Sequence, residues 1–289
     1  MYFKNLMIYS LAHYVTWGQL NDTLGGQIFK PCGKLEPQRQ GFWPPLGGLG
    51  DELVRGVNSC AVFCLRTQSR LLPSDVVATA TEEKVRALGR PVGRKERAEI
   101  KDQVRFELLP KAFLQDRYTF AYIDLAHDKL VIDTSSPSAA EAVINHLRKA
   151  LGTLKCTRLT TANDPGQWLT ALGATETAEE GAPFLAGLDY VYSGSAGEKV
   201  QTKGRELGLG WTVRQLRLHY HDLMSFTLDG GLTFRRVSFS DSAADKAADP
   251  RVEEYAHAFD ASFCVTAGAV RIMLADLYKC LGGPVAVEE

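Results

Sequence analysis

The apolar run near the end of the chain constrains the fold more than any other stretch. Phe263, Ala267, Val270, Leu274, Leu277 and Leu281 are spaced 4, 3, 4, 3 and 4, the spacing that gathers side chains onto one stripe of a helix. Asp260 stands where it can cap the start, and Gly282-Gly283-Pro284 supplies the stop. A seam this short reads as a core face packed on the chain's own sheet, with packing against a second copy as the alternative. The segment Ala261 to Leu281 also carries Arg271, Asp276 and Lys279, so it reads as amphipathic rather than as a membrane span. The amino terminus lacks the charged and apolar regions of a signal peptide.

A second stretch constrains function. Between Lys84 and Arg117 ten positive charges meet five negative, a local balance of +5 in a chain whose formal total is −1, which leaves −6 elsewhere. Arg94, Arg97, Lys101 and Arg105 fall on one stripe of a helix, with Ile100, Val104 and Leu108 on the stripe beside it. Such a helix docks with one face and offers a row of cations with the next, which suits a polyanion such as a phosphate backbone. Lys111 and Arg117 close the same basic stretch beyond Pro110. The alternative is an ordinary solvated face, with Glu96, Glu99 and Asp102 pairing with Arg97, Lys101 and Arg105 along the same helix. A near-neutral total excludes a protein that coats nucleic acid over its whole surface, so any such site is local.

The rest of the chain reads as α+β, with antiparallel sheets and an inserted helical hairpin. Strands are expected over Phe3–Leu11, Cys60–Arg66, Tyr118–Leu125, Lys129–Thr134, Thr153–Leu159, Lys199–Leu207, Gly210–Tyr220 and Leu223–Phe239, the last broken by the hairpin signal Asp229-Gly230-Gly231. Helices are expected from Ser74, as an N-cap, through Leu88; along the basic stretch to Pro110; over Pro137–Leu151 behind Ser136 or Ser138; and over Asp164–Leu172. The prolines and glycines of Gly33–Gly50 predict a shaped loop carrying Phe42 and Trp43, which read as a core plug rather than as bases for stacking. Gly173–Pro183 reads as a surface connection and Ser240–Asp249 as loose. Four parts result: 1–74, an N-terminal α/β part of a central region; 75–117, the hairpin insertion; 118–172, the continuation of the central region; and 184–289, β-rich with the closing helix.

Templates for chemistry do not fit. Gly194-Ser-Ala-Gly-Glu-Lys199 lacks the P-loop spacing, and Gly47-Gly48-Leu49-Gly50 lacks the dinucleotide fingerprint. His219 and His221, expected on one face of a strand, are two ligands without a third. Asp124 and Asp133 close strands as many acids do. The six cysteines, including Cys60 and Cys64, read as buried free thiols of a reducing cytoplasm. No catalytic residue, metal site or cofactor is expected.

Several phrases go beyond pattern. Phe3-Lys-Asn-Leu-Met-Ile-Tyr9, Phe29-Lys-Pro-Cys-Gly33, Trp43-Pro-Pro45, Leu72-Pro-Ser74, Leu108-Leu-Pro-Lys-Ala-Phe113, Tyr122-Ile-Asp124, Leu147-Arg-Lys-Ala-Leu-Gly152 and Phe259-Asp-Ala261 stand in this order along nearly the whole chain. In this the sequence resembles the recombination-associated protein RdgC family. The resemblance implies a cytoplasmic, nucleoid-associated protein that is not an enzyme. It implies a ring-shaped homodimer with a basic hole that binds double-stranded DNA with little sequence preference and limits access of the RecA recombinase to DNA. It also draws in Phe113, and Lys203 with Arg205, although Gly204 interrupts that second stretch. The expected DNA-facing set is Arg94, Arg97, Lys101, Arg105, Lys111, Phe113, Arg117, Lys203, Arg205, Arg235 and Arg236. The alternative is a protein-interaction module acting directly on the recombinase filament.

Overall fold

The structure is a computed structural model that describes residues 2–12, 15–174, 182–193, 199–203, 212–240 and 252–285. It is a mixed α/β fold with two antiparallel sheets and, among the described residues, six α-helices. The first sheet runs in the order β2 (Gln38–Trp43), β4 (Cys60–Leu71), β5 (Phe113–Asp124), β6 (Lys129–Ile132), β1 (Met7–Leu11) and β7 (Cys156–Arg158), with β3 (Arg55–Val57) also paired to β4. The second runs β12 (Phe234–Phe239), β11 (Met224–Asp229), β10 (Thr212–Tyr220), β8 (Phe184–Ser193) and β9 (Lys199–Lys203). Leu6 and Phe234 exchange backbone hydrogen bonds of 2.8 and 3.0 Å, and Val237 N–H donates to Lys4 C=O at 2.8 Å, so the two sheets are stitched at one corner.

Alternation along β4 and β5 divides the core in two, because successive side chains of a strand point to opposite faces. Ala61, Phe63, Leu65, Ala121 and Ile123 pack under α1 (Trp17–Leu24) and α4 (Pro137–Leu151). Cys60, Val62 and Tyr122 face the other way, into a cluster shared with the second sheet, α5 (Pro165–Ala174) and α6 (Val252–Cys280). α4 has the expected bounds: the Ser136 hydroxyl accepts from Ala139 N–H, and Gly152 ends the helix at φ +77°, a conformation costly for any side chain but glycine's. α6 buries Phe263, Ala267, Val270, Leu274, Leu277 and Leu281 in the shared core, so the heptad-like seam is an internal face. By length and composition Tyr255–Cys280 is apolar enough to cross a membrane, and half of it is buried within the protein.

Several expectations are corrected. α6 begins at Val252, not near Asp260, and Asp260 sits inside it, gripped by Arg55 through bonds of 2.6 and 2.7 Å. The expected loop at Gly33–Gly50 contains β2, because Gln38–Trp43 pairs with the edge of β4. Its Phe42 is core, whereas Trp43 lies on the opposite face over the Arg66 guanidinium. α2 (Ser74–Ala87) starts on Ser74 itself; Pro73 is the cap residue, and the Ser74 hydroxyl bonds to Asp75. The strands expected at Cys60–Arg66 and Tyr118–Leu125 are longer toward the hairpin, since each supplies the other's partners as far as Leu71↔Phe113. The expected connection at Gly173–Pro183, the loose stretch at Ser240–Asp249 and the ends of the strands expected to reach Leu207 and to start at Gly210 lie wholly or partly outside the described residues.

Candidate nucleic-acid interface

The paired strands β4 and β5 form an arm. Their register is unbroken from Cys60↔Asp124 to Leu71↔Phe113, a span of about 36 Å at a strand's rise per residue. The core end is buried and the far half is open to solvent. At its tip the chain leaves β4, runs through α2 and α3 (Arg94–Leu108), and returns along a short 3-10 turn at Leu109–Lys111, where Pro110 cannot continue the helix. The helical hairpin is therefore held on a two-stranded stalk.

The hairpin seam decides which cations are free. Val104 is buried against α2, whose own buried residues are Val77 and Thr81. Arg97 lies two turns before Val104 and hence on the same side, and it pairs with Glu82 across the seam. Lys84 crosses in the other direction, with its ammonium 2.7 Å from both carboxylate oxygens of Glu107. Arg90 in the connecting turn clasps Glu96, which holds that carboxyl below its usual range. Along the helix only Arg105–Asp102 pairs, at 3.4 Å. The expected ladder of pairs within one helix is thus replaced mainly by pairs across the seam and the turn. Two of the four stripe residues, Arg97 and Arg105, are tied to carboxylates.

The remaining cations are not. Arg86, Arg94, Lys95, Lys101, Lys111 and Arg117 are all exposed and make no ion pair among the described residues. Asp116, the acid of the arm, is spent on Arg66 through bonds of 3.0 and 2.9 Å. Arg66 in turn lies 4.3 Å from the Phe29 ring centroid and 4.5 Å from that of Trp43. Phe113 is 83% exposed, opposite the exposed Leu71 and next to the exposed Leu114.

Gln115, Arg117 and Thr119 alternate along β5 on the α4 side and, with Thr67 and Ser69 of β4 and Gln38 and Gln40 of β2, floor a groove of about 600 Å³. Its helical wall bears Glu141, Asn145, His146 and Lys149. Phe113 follows the same alternation and belongs to that face. Sequence reading missed Lys149, which only the packing of α4 on the sheet sets beside Arg117. The phrase Arg148-Lys149 was visible, but its facing was not.

The other expected residues lie on the second sheet. Arg235 is tied to Asp229 at 3.2 Å, across the β11–β12 hairpin. Arg236 is the extra residue of a bulge, at φ +50°, and its guanidinium reaches Thr227 Oγ1 at 3.1 Å. Its C=O accepts from Arg217, another cation that sequence reading did not single out. Lys203 closes β9 opposite Asp189, and Arg205 lies outside the described residues. The expected set is therefore split between hairpin and second sheet.

Of the rejected templates, the stretch 194–199 lies largely outside the described residues. His219 is in β10, but His221 is in the following turn at φ +44°, so the two do not share a strand face. Asp124 is bound by Arg271 through bonds of 2.6 and 3.0 Å and by His127, and Asp133 accepts the Lys4 and Asn5 backbone N–H groups. All six cysteines are free thiols. No group of three His, Cys, Asp or Glu side chains is placed to hold a metal among the described residues.

A family model described as "Putative exonuclease, RdgC" matches residues 1–284. The chain belongs to the RdgC family. A relative from Halorhodospira halophila, named recombination-associated protein RdgC, is 32% identical over 98% of each chain. Relatives of the same name from Salmonella paratyphi B and Salmonella typhimurium are each 29% identical, again over 98% of both chains. As an RdgC-family member the chain is placed in the context of DNA recombination. The two names differ in emphasis, one suggesting a nuclease and the other not.

Proposed function

We propose that the chain binds double-stranded DNA without reading its sequence, acts as a ring-shaped homodimer, and limits the access of the RecA recombinase to DNA on the nucleoid of the cytoplasm. The observation that carries this reading is the set of exposed cations without carboxylate partners on the hairpin and its stalk, which outnumber the acids left unpaired there because Glu82, Glu96, Asp102 and Glu107 are already occupied. Contacts from such side chains to phosphate position a protein on DNA but carry no base information. Closure into a ring is supported by the apolar tip of the arm, where Leu71, Phe113 and Leu114 are exposed together; patches of this kind mark contact surfaces. In this reading the protein is not an enzyme.

Retention on closed circular DNA but not on linear DNA of equal length, after a salt challenge, tests encirclement; equal retention removes the ring. Incubation with labelled DNA and magnesium or manganese tests the nuclease suggested by the family description, and shortened strands would overturn the non-enzymatic reading. A second reading, direct contact with the recombinase filament, draws on the exposed Phe106 and Phe113. Inhibition of strand exchange by a variant that no longer binds DNA would favour it.

A further inference from the structure

Away from the hairpin, α6 crosses the end of the first sheet and encloses a second space of about 190 Å³, room for roughly six water-sized groups. Its walls are apolar: Tyr122 and Val131 from neighbouring strands, and Val270, Leu274 and Ala275 from the helix. Charged groups converge at one end, because Asp124 and Lys129 are register partners on β5 and β6 and Arg271 descends on them from α6.

These groups are not equally satisfied. The carboxylate of Asp124 is saturated, with two bonds from Arg271, one from the Ala126 N–H and one shared with His127 Nδ1. Arg271 is further used on Asn58 C=O and Cys60 Sγ. Lys129 is different. Its one hydrogen bond is to Ser10 Oγ at 3.1 Å, and it makes no ion pair among the described residues, although Asp124 and Asp128 are near enough to favour its charge. An ammonium has three protons to donate, and half-burial disfavours its charge. Beside it the Tyr278 hydroxyl is buried and makes no hydrogen bond of good geometry, although Ser10, which accepts from Lys129, lies near enough to act on it. Two unspent donors and one surplus positive charge therefore look into an otherwise apolar chamber.

We propose that this chamber binds a small monocarboxylate with a compact apolar body, its carboxylate held by Lys129 and Tyr278 and its hydrocarbon against Val131, Val270 and Leu274. A neutral apolar guest leaves the donors unpaired, and a cation meets Lys129 and Arg271. A phosphate has no use for the apolar walls. The site is separate from the hairpin and does not depend on the DNA-binding reading.

Calorimetric titration of the full chain with valerate and benzoate, against the same-shaped valeramide and benzamide, tests it. Both carboxylates bind saturably, and the amides bind at least about tenfold more weakly, the ratio expected when a charge-assisted bond is lost. Lys129→Met keeps the aliphatic stem and brings the carboxylates down to the amide level. Ala275→Trp fills the chamber from the helix and abolishes both, with unfolding midpoints reporting that each variant is folded. No heat at millimolar carboxylate, equal affinity for acid and amide, or unchanged carboxylate affinity in a folded Lys129→Met protein overturns the proposal.

Discussion

Removing the hairpin's free cations and removing its paired ones have different consequences if phosphate is the partner. Arg86, Arg94, Lys95, Lys101, Lys111 and Arg117 are the six without carboxylates. If each displaces a counterion from a duplex, each protomer contributes a slope of about −5 to the fall of log affinity against log salt, roughly a thousandfold loss per protomer between 50 and 200 mM salt. The triple variant Arg94→Ala, Lys95→Ala, Lys101→Ala takes three away, so the slope per protomer becomes about −3 and the loss about fortyfold. Alanine suits an exposed helix, so the fold is retained. The control removes paired cations together with their acids: Arg97→Ala with Glu82→Ala, and Arg90→Ala with Glu96→Ala, each leaving the net charge unchanged. These side chains already have their counter-charge, so the slope stays near that of the parent. Fluorescence anisotropy of a labelled duplex over a salt series reads all three slopes. A control that loses as much slope as the triple variant would show that affinity follows something other than unpaired charge.

Other outcomes follow from contacts elsewhere. Arg271→Met leaves Asp124 buried without its guanidinium partner and costs about 3–5 kcal/mol in urea denaturation, whereas adding Asp124→Asn recovers part of the loss. Burial raises the Asp124 carboxyl, but Arg271 and His127 more than reverse this and hold it below the usual aspartate range. Its contribution is therefore complete above that range and is lost as pH falls through the lowered value, so the parent's acid midpoint lies above that of the double variant once their neutral-pH stabilities are matched. Phe113→Asp shifts the sedimentation of the protein toward a monomer; an unchanged oligomer would remove the arm tip from the interface. Burial pushes the Cys60 and Cys64 thiols up to about 12, so both resist a thiol reagent at pH 8 until denaturant is added; rapid modification of the folded chain would contradict their burial.

How far the sequence could be read depended on the kind of signal. Pro137–Leu151 was readable to the residue because a hydroxyl cap, a proline at the start and a glycine at the end all act locally. The α6 seam was readable because a period of 3.6 is a property of one helix, but its start was misjudged. Asp260 resembles a cap, and only Arg55, some two hundred residues away, shows it to be an interior partner. Gln38–Trp43 resembled a loop because its strand character comes from the edge of β4, which no local propensity encodes.

By itself the sequence determined the charge excess of the stretch from Lys84 to Arg117, the two helices that carry it, the internal face of α6 and, through phrases in register, the family. The pairing of Arg105 with Asp102 one turn away was also open to the sequence. Tertiary structure decided the rest: Arg97 and Arg235 look the same in sequence as Arg94 and Arg236, but the first two meet Glu82 and Asp229. The physical reason is range: helical periods and caps are set by neighbours a turn apart, whereas the Coulomb energy of a side chain depends on which distant carboxylate folding places within a few ångströms.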